Sequence, residues 1–159
     1  MNETLTVGIA DAKIVSRNQT LVTYALGSCV GVCLYDAAVP LAGMVHILLP
    51  CKEDSTSQDN EFKFADSGIH ALMNRMMLQG ADKKRISAKI AGGAEMFQGA
   101  VYLQAIGERN IKAVKDTLHS LHIPIVAEDT GKNYGRSIWF FCENGDLKIK
   151  TVNHGIQII

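Results

Sequence analysis

The stretch LGSCVGVCLYD, residues 26–36, decides the fold together with LAGMVHILL at residues 41–49. Apolar residues alternate with small or polar ones along residues 30–35, which predicts a strand with one clearly apolar face. Residues 36–40 predict a turn, and the second stretch predicts a returning strand that ends before Pro50. The two strands would form a hairpin within a β-rich domain.

The register of this hairpin determines whether Cys29 and His46 share a face of the sheet. Pairing of Asp36 with Leu41 sets the register, and His46 then lies opposite Gly31. Cys29 is one diagonal step away on the same face, with roughly 7 Å or less between the two Cβ atoms. A bulge of one residue would turn His46 to the opposite face. With Asp36 paired to Leu41, the thiol of Cys29 and the imidazole of His46 meet. The imidazole can then favour a thiolate at neutral pH, and the thiolate can attack an acyl carbon.

The rest of the chain predicts further strands and two principal helices. Apolar residues at helical spacing over residues 65–76 predict one helix, which Gly80 would end. The second helix is predicted to begin at Asn110 as its N-cap, with a buried face of Ile111, Val114, Leu118 and Leu121. The polar residues 52–61 predict an exposed loop. Short apolar segments predict strands at residues 5–9, 14–15, 21–22, 86–90, 123–127, 137–141 and 147–152.

The order of these elements predicts an α+β domain. Several strands precede the first helix, and this order does not fit a repeated strand–helix–strand unit. The last two strands form a predicted hairpin around Asn144 and Gly145, a pair that suits a tight turn.

Composition limits the classes of function. The chain has 159 residues, and its 16 Lys and Arg are balanced by 16 Asp and Glu, which disfavours a broad surface for nucleic acid or an anionic membrane. No apolar run is long enough for a transmembrane helix, and residues 1–10 lack the pattern of a signal peptide. We therefore expect a single domain over residues 1–159, with a cytoplasmic location and reduced thiols.

The cysteines other than Cys29 are interpreted as small apolar packing residues: Cys33, Cys51 and Cys142. On an extended strand Cys29 and Cys33 lie about 13 Å apart, whereas a disulfide needs Cα atoms within about 7 Å. The same separation argues against a shared zinc ion, and we expect neither a metal nor a cofactor. Because a lone cysteine is usually structural, spacing alone leaves Cys29 open between packing and catalysis.

Six ordered segments resemble the chemoreceptor glutamine deamidase family, CheD. They are TYALGSCVGVC at residues 23–33, GMVHILLP at 43–50, FAD at 64–66, KIAGGAEMF at 89–97, IGERN at 106–110 and AEDTG at 127–131. Each segment is short, but their joint order and spacing over residues 7–150 are specific. The sequence departs from the family pattern at Lys132, where a second glycine is usual, and this departure concerns the shape of that loop.

The resemblance implies a catalytic triad of Cys29, His46 and Thr23. Cys29 would attack the carboxamide of a receptor glutamine, His46 would hold the thiolate and transfer protons, and Thr23 would fix the tautomer of the imidazole. The backbone N–H groups around Gly27, Ser28 and Cys29 are candidates for the oxyanion hole. The implied fold has layered mixed β-sheets packed together with two principal helices outside, as in deamidating bacterial toxins.

The implied substrates are cytoplasmic helices of methyl-accepting chemotaxis receptors, and a CheC-type phosphatase is the implied second partner. Two alternatives stay open at this point. The chain could serve mainly as a regulatory binding module for such a phosphatase, or it could hydrolyse receptor glutamyl methyl esters through the same thioester. We expect no nucleic acid partner and no insertion into the membrane.

Overall fold

Two five-stranded mixed sheets and two α-helices form the part of the chain that the computed structural model describes, residues 2–54, 60–96 and 105–159. The helices are α1 (Ala65–Leu78) and α2 (Ile106–Ser120). The strands are β1 (Thr4–Thr6), β2 (Ala12–Ser16), β3 (Thr20–Leu26), β4 (Val30–Asp36), β5 (Leu41–Ile47), β6 (Ser87–Gly92), β7 (Ile125–Thr130), β8 (Arg136–Phe141), β9 (Leu147–Thr151) and β10 (Gly155–Ile158). The predicted α+β class is confirmed.

The elements pack in three layers. The first sheet has the strand order β1-β3-β8-β9-β10 and the second has the order β2-β5-β4-β6-β7. One face of the second sheet packs against the helices, in a core that includes Val45 and Leu72. Its other face packs against the first sheet, in a core that includes Cys33, Met44 and Ile138. The second sheet is therefore covered on both faces, which explains why every residue of β5 is buried.

The β4–β5 hairpin has the predicted register. Asp36 pairs with Leu41, and Gly31 pairs with His46. Glycine is needed opposite the histidine because a Cβ at position 31 would lie 2.7 Å from Cδ1 of Ile138 in the first sheet. The predicted register of the Cys29 and His46 segments is thus confirmed.

The predicted start of the second helix is wrong. α2 begins at Ile106, so Asn110 is not its N-cap but lies within the helix, where it is fully buried. Asn110 precedes Val114 by four residues and Leu118 by eight, so it shares their buried face. A polar residue in such a place requires hydrogen-bond partners, and Asn110 has them in two backbone carbonyls outside the helix.

Other boundaries differ less. β1 ends at Thr6, and Ile9, which was predicted to continue it, is exposed. The hydrophobic pattern did not predict β10, because all four of its residues are exposed and pairing with β9 alone defines it. The β8–β9 hairpin is confirmed, with Gly145 in its turn at a φ of 79°. Residues 55–59 of the predicted loop, and Phe97 of the quoted segments, lie outside the described residues.

The two helices are short, with 14 residues in α1 and 15 in α2. Within the described ranges, neither has the length and apolarity that crossing a bilayer requires.

Candidate active site

Cys29 lies in the three-residue connection between β3 and β4. A bulge near the end of β3 precedes it, with Ala25 in the left-handed region at a φ of 58°. Gly92 at the end of β6 packs directly on the connection, because a Cβ there would lie 2.3 Å from the Cys29 carbonyl oxygen. The N–H of Gly93 donates to the same oxygen at 2.8 Å. The two glycines therefore fix the backbone of the candidate nucleophile.

His46 lies on β5, fully buried between the sheets. Its Nδ1 is 2.7 Å from Oγ1 of Thr23 on β3, so one hydrogen bond joins the two sheets. The Thr23 hydroxyl also donates to the Val7 carbonyl oxygen at 2.7 Å, and a carbonyl can only accept. Because the hydroxyl has a single proton, Nδ1–H must donate to Thr23 Oγ1. The neutral imidazole therefore carries its proton on Nδ1 and a lone pair on Nε2.

Cys29 and His46 face the same layer of the core. Side chains an even number of residues apart on a strand lie on the same face. Cys29 therefore shares a face with Cys33, and His46 shares a face with Met44. Cys33 and Met44 both pack between the two sheets. Nε2 of His46 is buried without a hydrogen-bond partner, and among the described residues no hydrogen bond joins it to Sγ of Cys29. The structure thus brings Thr23 and His46 into contact and places Cys29 on the same side of the second sheet.

Burial keeps both reactive groups neutral. It raises the pKa of the Cys29 thiol to about 11, against a smaller opposite effect of a hydrogen bond from the residue's own backbone N–H. Burial also lowers the pKa of His46 to about 4. At neutral pH these two shifts favour a thiol beside a neutral imidazole over a standing thiolate.

The residues before Cys29 differ in what their N–H groups do. The N–H of Gly27 donates to the Ala25 carbonyl at 3.0 Å, so Gly27 itself supplies no free donor. No backbone carbonyl of the described residues accepts from the N–H of Ser28 or Cys29. Since neither N–H is bonded to a carbonyl, both are candidate oxyanion donors. Gly27 leaves room for Met96, whose Sδ would lie 3.0 Å from a Cβ at position 27.

Cys33 and Cys142 are fully buried in the core between the sheets. Burial raises the pKa of the Cys33 thiol far above its usual range. The Cys142 thiol donates to the carbonyl oxygen of Pro40 at 3.2 Å. Their burial agrees with the predicted packing role, and Cys51 is half-buried at the surface.

Sequence reasoning missed the contacts of two buried polar side chains near this end of the sheets. Asn110 donates to carbonyls beside the candidate site, and its four-residue spacing from Val114 could have identified it as buried. Arg136 on β8 donates from Nε to Oδ2 of Asp129 at 3.1 Å and from Nη1 to the Gly131 carbonyl at 3.0 Å. No spacing pattern marks Arg136, because its partners lie in the other sheet and its loop.

The loop that follows β7 contains the departure at Lys132. Gly131 has a φ of 80° and Lys132 has a φ of 65°, so both occupy the left-handed region that glycine favours. The Lys132 carbonyl accepts from the N–H of Glu95 at 2.9 Å. Lys132 therefore adopts a glycine-like conformation and ties this loop to the segment after β6.

The comparisons with known proteins agree with one another. The model of a family described as CheD chemotactic sensory transduction matches residues 48–151. A protein of Caldanaerobacter subterraneus subsp. tengcongensis, named probable chemoreceptor glutamine deamidase CheD, is 49% identical over 98% of this chain and 97% of its own length. Proteins of the same name from Syntrophomonas wolfei and Methanosarcina barkeri are 45% and 42% identical, over 100% and 96% of this chain and the full length of each relative.

Proposed function

Because the chain belongs to the CheD family, we propose that it is a chemoreceptor glutamine deamidase with Cys29 as nucleophile, His46 as base and Thr23 as the residue that orients the imidazole. One observation supports this above the others. The Thr23 hydroxyl, committed to Val7, holds the proton of His46 on Nδ1, so Nε2 presents a lone pair in the layer that contains Cys29.

Acylation begins when the sulfur of Cys29 attacks the side-chain carboxamide carbon of a receptor glutamine. As the S–C bond forms, the thiol proton passes to Nε2 of His46, and the carbonyl π electrons move to oxygen as an oxyanion. The N–H groups of Ser28 and Cys29 would stabilise that oxyanion. When the oxyanion collapses, the C–N bond breaks, His46 returns the proton to nitrogen, and ammonia leaves a thioester.

Deacylation repeats the same proton transfers with water. Nε2 of His46 takes a proton from a water molecule as its oxygen attacks the thioester carbon. The second tetrahedral intermediate expels the Cys29 sulfur, which regains its proton from His46. The sum is glutamine plus water giving glutamate plus ammonium, with the enzyme unchanged.

The neutral resting pair favours general-base catalysis over a standing ion pair. The thiol pKa lies far above that of the imidazole, so a standing thiolate–imidazolium pair is unfavourable in the buried site. Proton transfer that accompanies attack avoids building up that pair.

The test is to incubate the protein with cytoplasmic fragments of methyl-accepting receptors and to map glutamines by mass spectrometry. Conversion of specific glutamines to glutamate by the wild type, and its loss in Cys29→Ala, is the expected result. Cys33→Ala is the matched control, since it removes a buried thiol from the same strand region without removing the nucleophile. Absence of conversion, or conversion that persists in Cys29→Ala, would refute the proposal.

The assay also separates the two alternatives. Measurement of ammonia and methanol from the same receptor fragments distinguishes deamidation from methyl ester hydrolysis, because each reaction releases only one of them. If the chain is a regulatory module for a CheC-type phosphatase, the Cys29→Ala variant should bind that phosphatase and support signalling as well as the wild type does. Signalling that depends on Cys29 contradicts a binding role alone.

A further inference from the structure

Asn110 makes two hydrogen bonds from a single amide nitrogen. Nδ2 donates to the carbonyl oxygen of Ser28 at 2.9 Å and to that of Leu48 at 3.1 Å. Ser28 immediately precedes Cys29, and Leu48 follows His46 by two residues. One side chain on α2 thus joins the two segments that carry the candidate thiol and base.

Helix stability does not account for an asparagine at this position. Asparagine is a weak helix former, and its buried Oδ1 has no hydrogen-bond partner, which is unfavourable. An apolar residue would suit the buried face that Asn110 shares with Val114 and Leu118. The amide group is therefore kept for what its nitrogen does at Ser28 and Leu48.

The Ser28 contact fixes the direction of one peptide group. The Ser28–Cys29 peptide is trans, so its C=O and N–H point in opposite directions. Asn110 holds the C=O towards α2, which packs on the helix side of the second sheet. The Cys29 N–H therefore points away from Asn110, and no backbone carbonyl in the described ranges accepts it.

We propose that Asn110 is a positioning residue: it orients the Ser28–Cys29 peptide so that the Cys29 N–H donates to the oxyanion formed when the thiol attacks, an inference that rests on the proposed function. Without the bond to Asn110 the Ser28 carbonyl loses its hydrogen-bond donor, and rotation of this peptide would turn that carbonyl oxygen towards the developing negative charge. Loss of one oxyanion donor lowers kcat by about 10²–10³-fold in other acyl-transfer enzymes.

The test compares two reactions of the same thiol in the full-length protein. Deamidation passes through an oxyanion, whereas alkylation of Cys29 by iodoacetamide displaces iodide and forms none. For Asn110→Ala we expect kcat for deamidation to fall about 10²–10³-fold, with KM and the alkylation rate of Cys29 close to wild type. Asn74→Ala, an exposed asparagine of α1, is the matched control and should change neither reaction.

Asn110→Asp provides a second variant of the same shape if the alanine variant folds poorly. A carboxylate cannot donate to Ser28 or Leu48, so kcat should fall at neutral pH. Protonation of the buried carboxyl restores one donor, so the ratio of variant to wild-type kcat should rise as the pH is lowered.

The outcomes distinguish this inference from the proposed function. If the wild type is active and the Asn110 variants keep its kcat, the orienting role is refuted. It is also refuted if kcat and the alkylation rate fall equally in these variants. Neither result refutes the proposed function. A wild type that converts no glutamine refutes the proposed function and this inference with it.

Discussion

The imidazole of His46 is held by one nitrogen and left unbonded at the other. Thr23 accepts from Nδ1 while its own proton goes to Val7, so the tautomer is set by a hydroxyl rather than by a carboxylate. A carboxylate would stabilise the imidazolium, whereas a hydroxyl only orients the ring. Together with burial, this keeps His46 a weak base that is available over a wide range of pH.

Thr23→Val removes the hydroxyl while preserving the shape of the side chain. Nδ1–H of His46 and the Val7 carbonyl each lose a buried partner, which we expect to lower the free energy of unfolding by about 1–3 kcal/mol. The imidazole also loses its fixed tautomer, so kcat should fall by about 10²-fold. Urea unfolding and steady-state kinetics measure the two effects, and Thr23→Ser should restore both.

The low pKa of His46 predicts two effects of acidification. Since Nε2 keeps its lone pair until the pH approaches about 4, the acidic limb of kcat should have an apparent pKa near this value rather than near 6.5. Between these two values the unfolded chain binds more protons than the folded one, so the free energy of unfolding falls as the pH is lowered. The shift from 6.5 to about 4 corresponds to a total loss of about 3 kcal/mol.

Urea unfolding of the wild type and His46→Gln over this pH range tests the stability effect. Glutamine does not titrate, so the variant should lack the part of the slope that His46 causes. Equal slopes in the two proteins would show that His46 is not held neutral in the folded state.

At this scale, the sequence alone was enough to place Cys29 and His46 on one face, because a tight turn sets the register of a local hairpin. The contact of Thr23 with His46 joins two sheets, and such packing leaves no trace in the spacing of residues. Only the resemblance to a family pointed to Thr23. The burial that raises the pKa of the Cys29 thiol was not predicted either, because it comes from packing between the two sheets.

The start of α2 packs closely on the segment that follows β6. A Cβ at Gly107 would lie 2.5 Å from the Ala94 carbonyl oxygen and 2.6 Å from that of Gly93. The N–H of Gly93 also donates to the Cys29 carbonyl oxygen. The helix that carries Asn110 thereby rests on the same backbone that supports the candidate nucleophile.

Gly107→Ala should separate α2 from this segment. Alanine favours the helix by about 1 kcal/mol over glycine, but two contacts with rigid backbone oxygens cost more, about 1–3 kcal/mol or above. We expect a net loss in the free energy of unfolding and a lower kcat, measured by urea unfolding and deamidation. Gly8→Ala is the control, because a Cβ there meets no atom within 4 Å; equal behaviour of the two variants would contradict the close approach.

The bounds of α1 and of the β4–β5 hairpin were predicted closely, because apolar residues at helical spacing mark α1 and turn residues mark the hairpin. The start of α2 was misplaced because Asn110 is a common N-cap residue and its burial depends on carbonyls from distant segments. β10 was missed because backbone pairing with β9 defines an edge strand whose side chains are all exposed.

The two sheets behave as one structure because polar contacts as well as the apolar core connect them. Thr23 and His46 form one such connection, and Arg136 with Asp129 forms another between β8 and β7. We therefore propose that residues 1–159 form a single deamidase domain. Neither sheet would retain the site without the other.

Asp129→Asn tests this cooperation between the sheets. Arg136 is fully buried, and leaving it without its carboxylate should cost about 3–5 kcal/mol. For a chain of this size that lowers the Tm by about 10 °C, in one calorimetric transition that involves both sheets. Asp116→Asn, which breaks an exposed ion pair with Lys112, should change stability by at most about 1 kcal/mol. Two separate transitions would contradict a single domain.

Mass spectrometry of the acid-quenched reaction tests whether Cys29 forms a thioester with a receptor glutamine. The enzyme is mixed with excess receptor fragment, stopped in acid during turnover and digested, and the modified cysteine is located. We predict an adduct on the peptide that contains Cys29, sensitive to hydroxylamine and lost in Cys29→Ala together with glutamine conversion. Glutamine conversion with no adduct at Cys29, and undiminished in Cys29→Ala, would show that Cys29 is not the nucleophile.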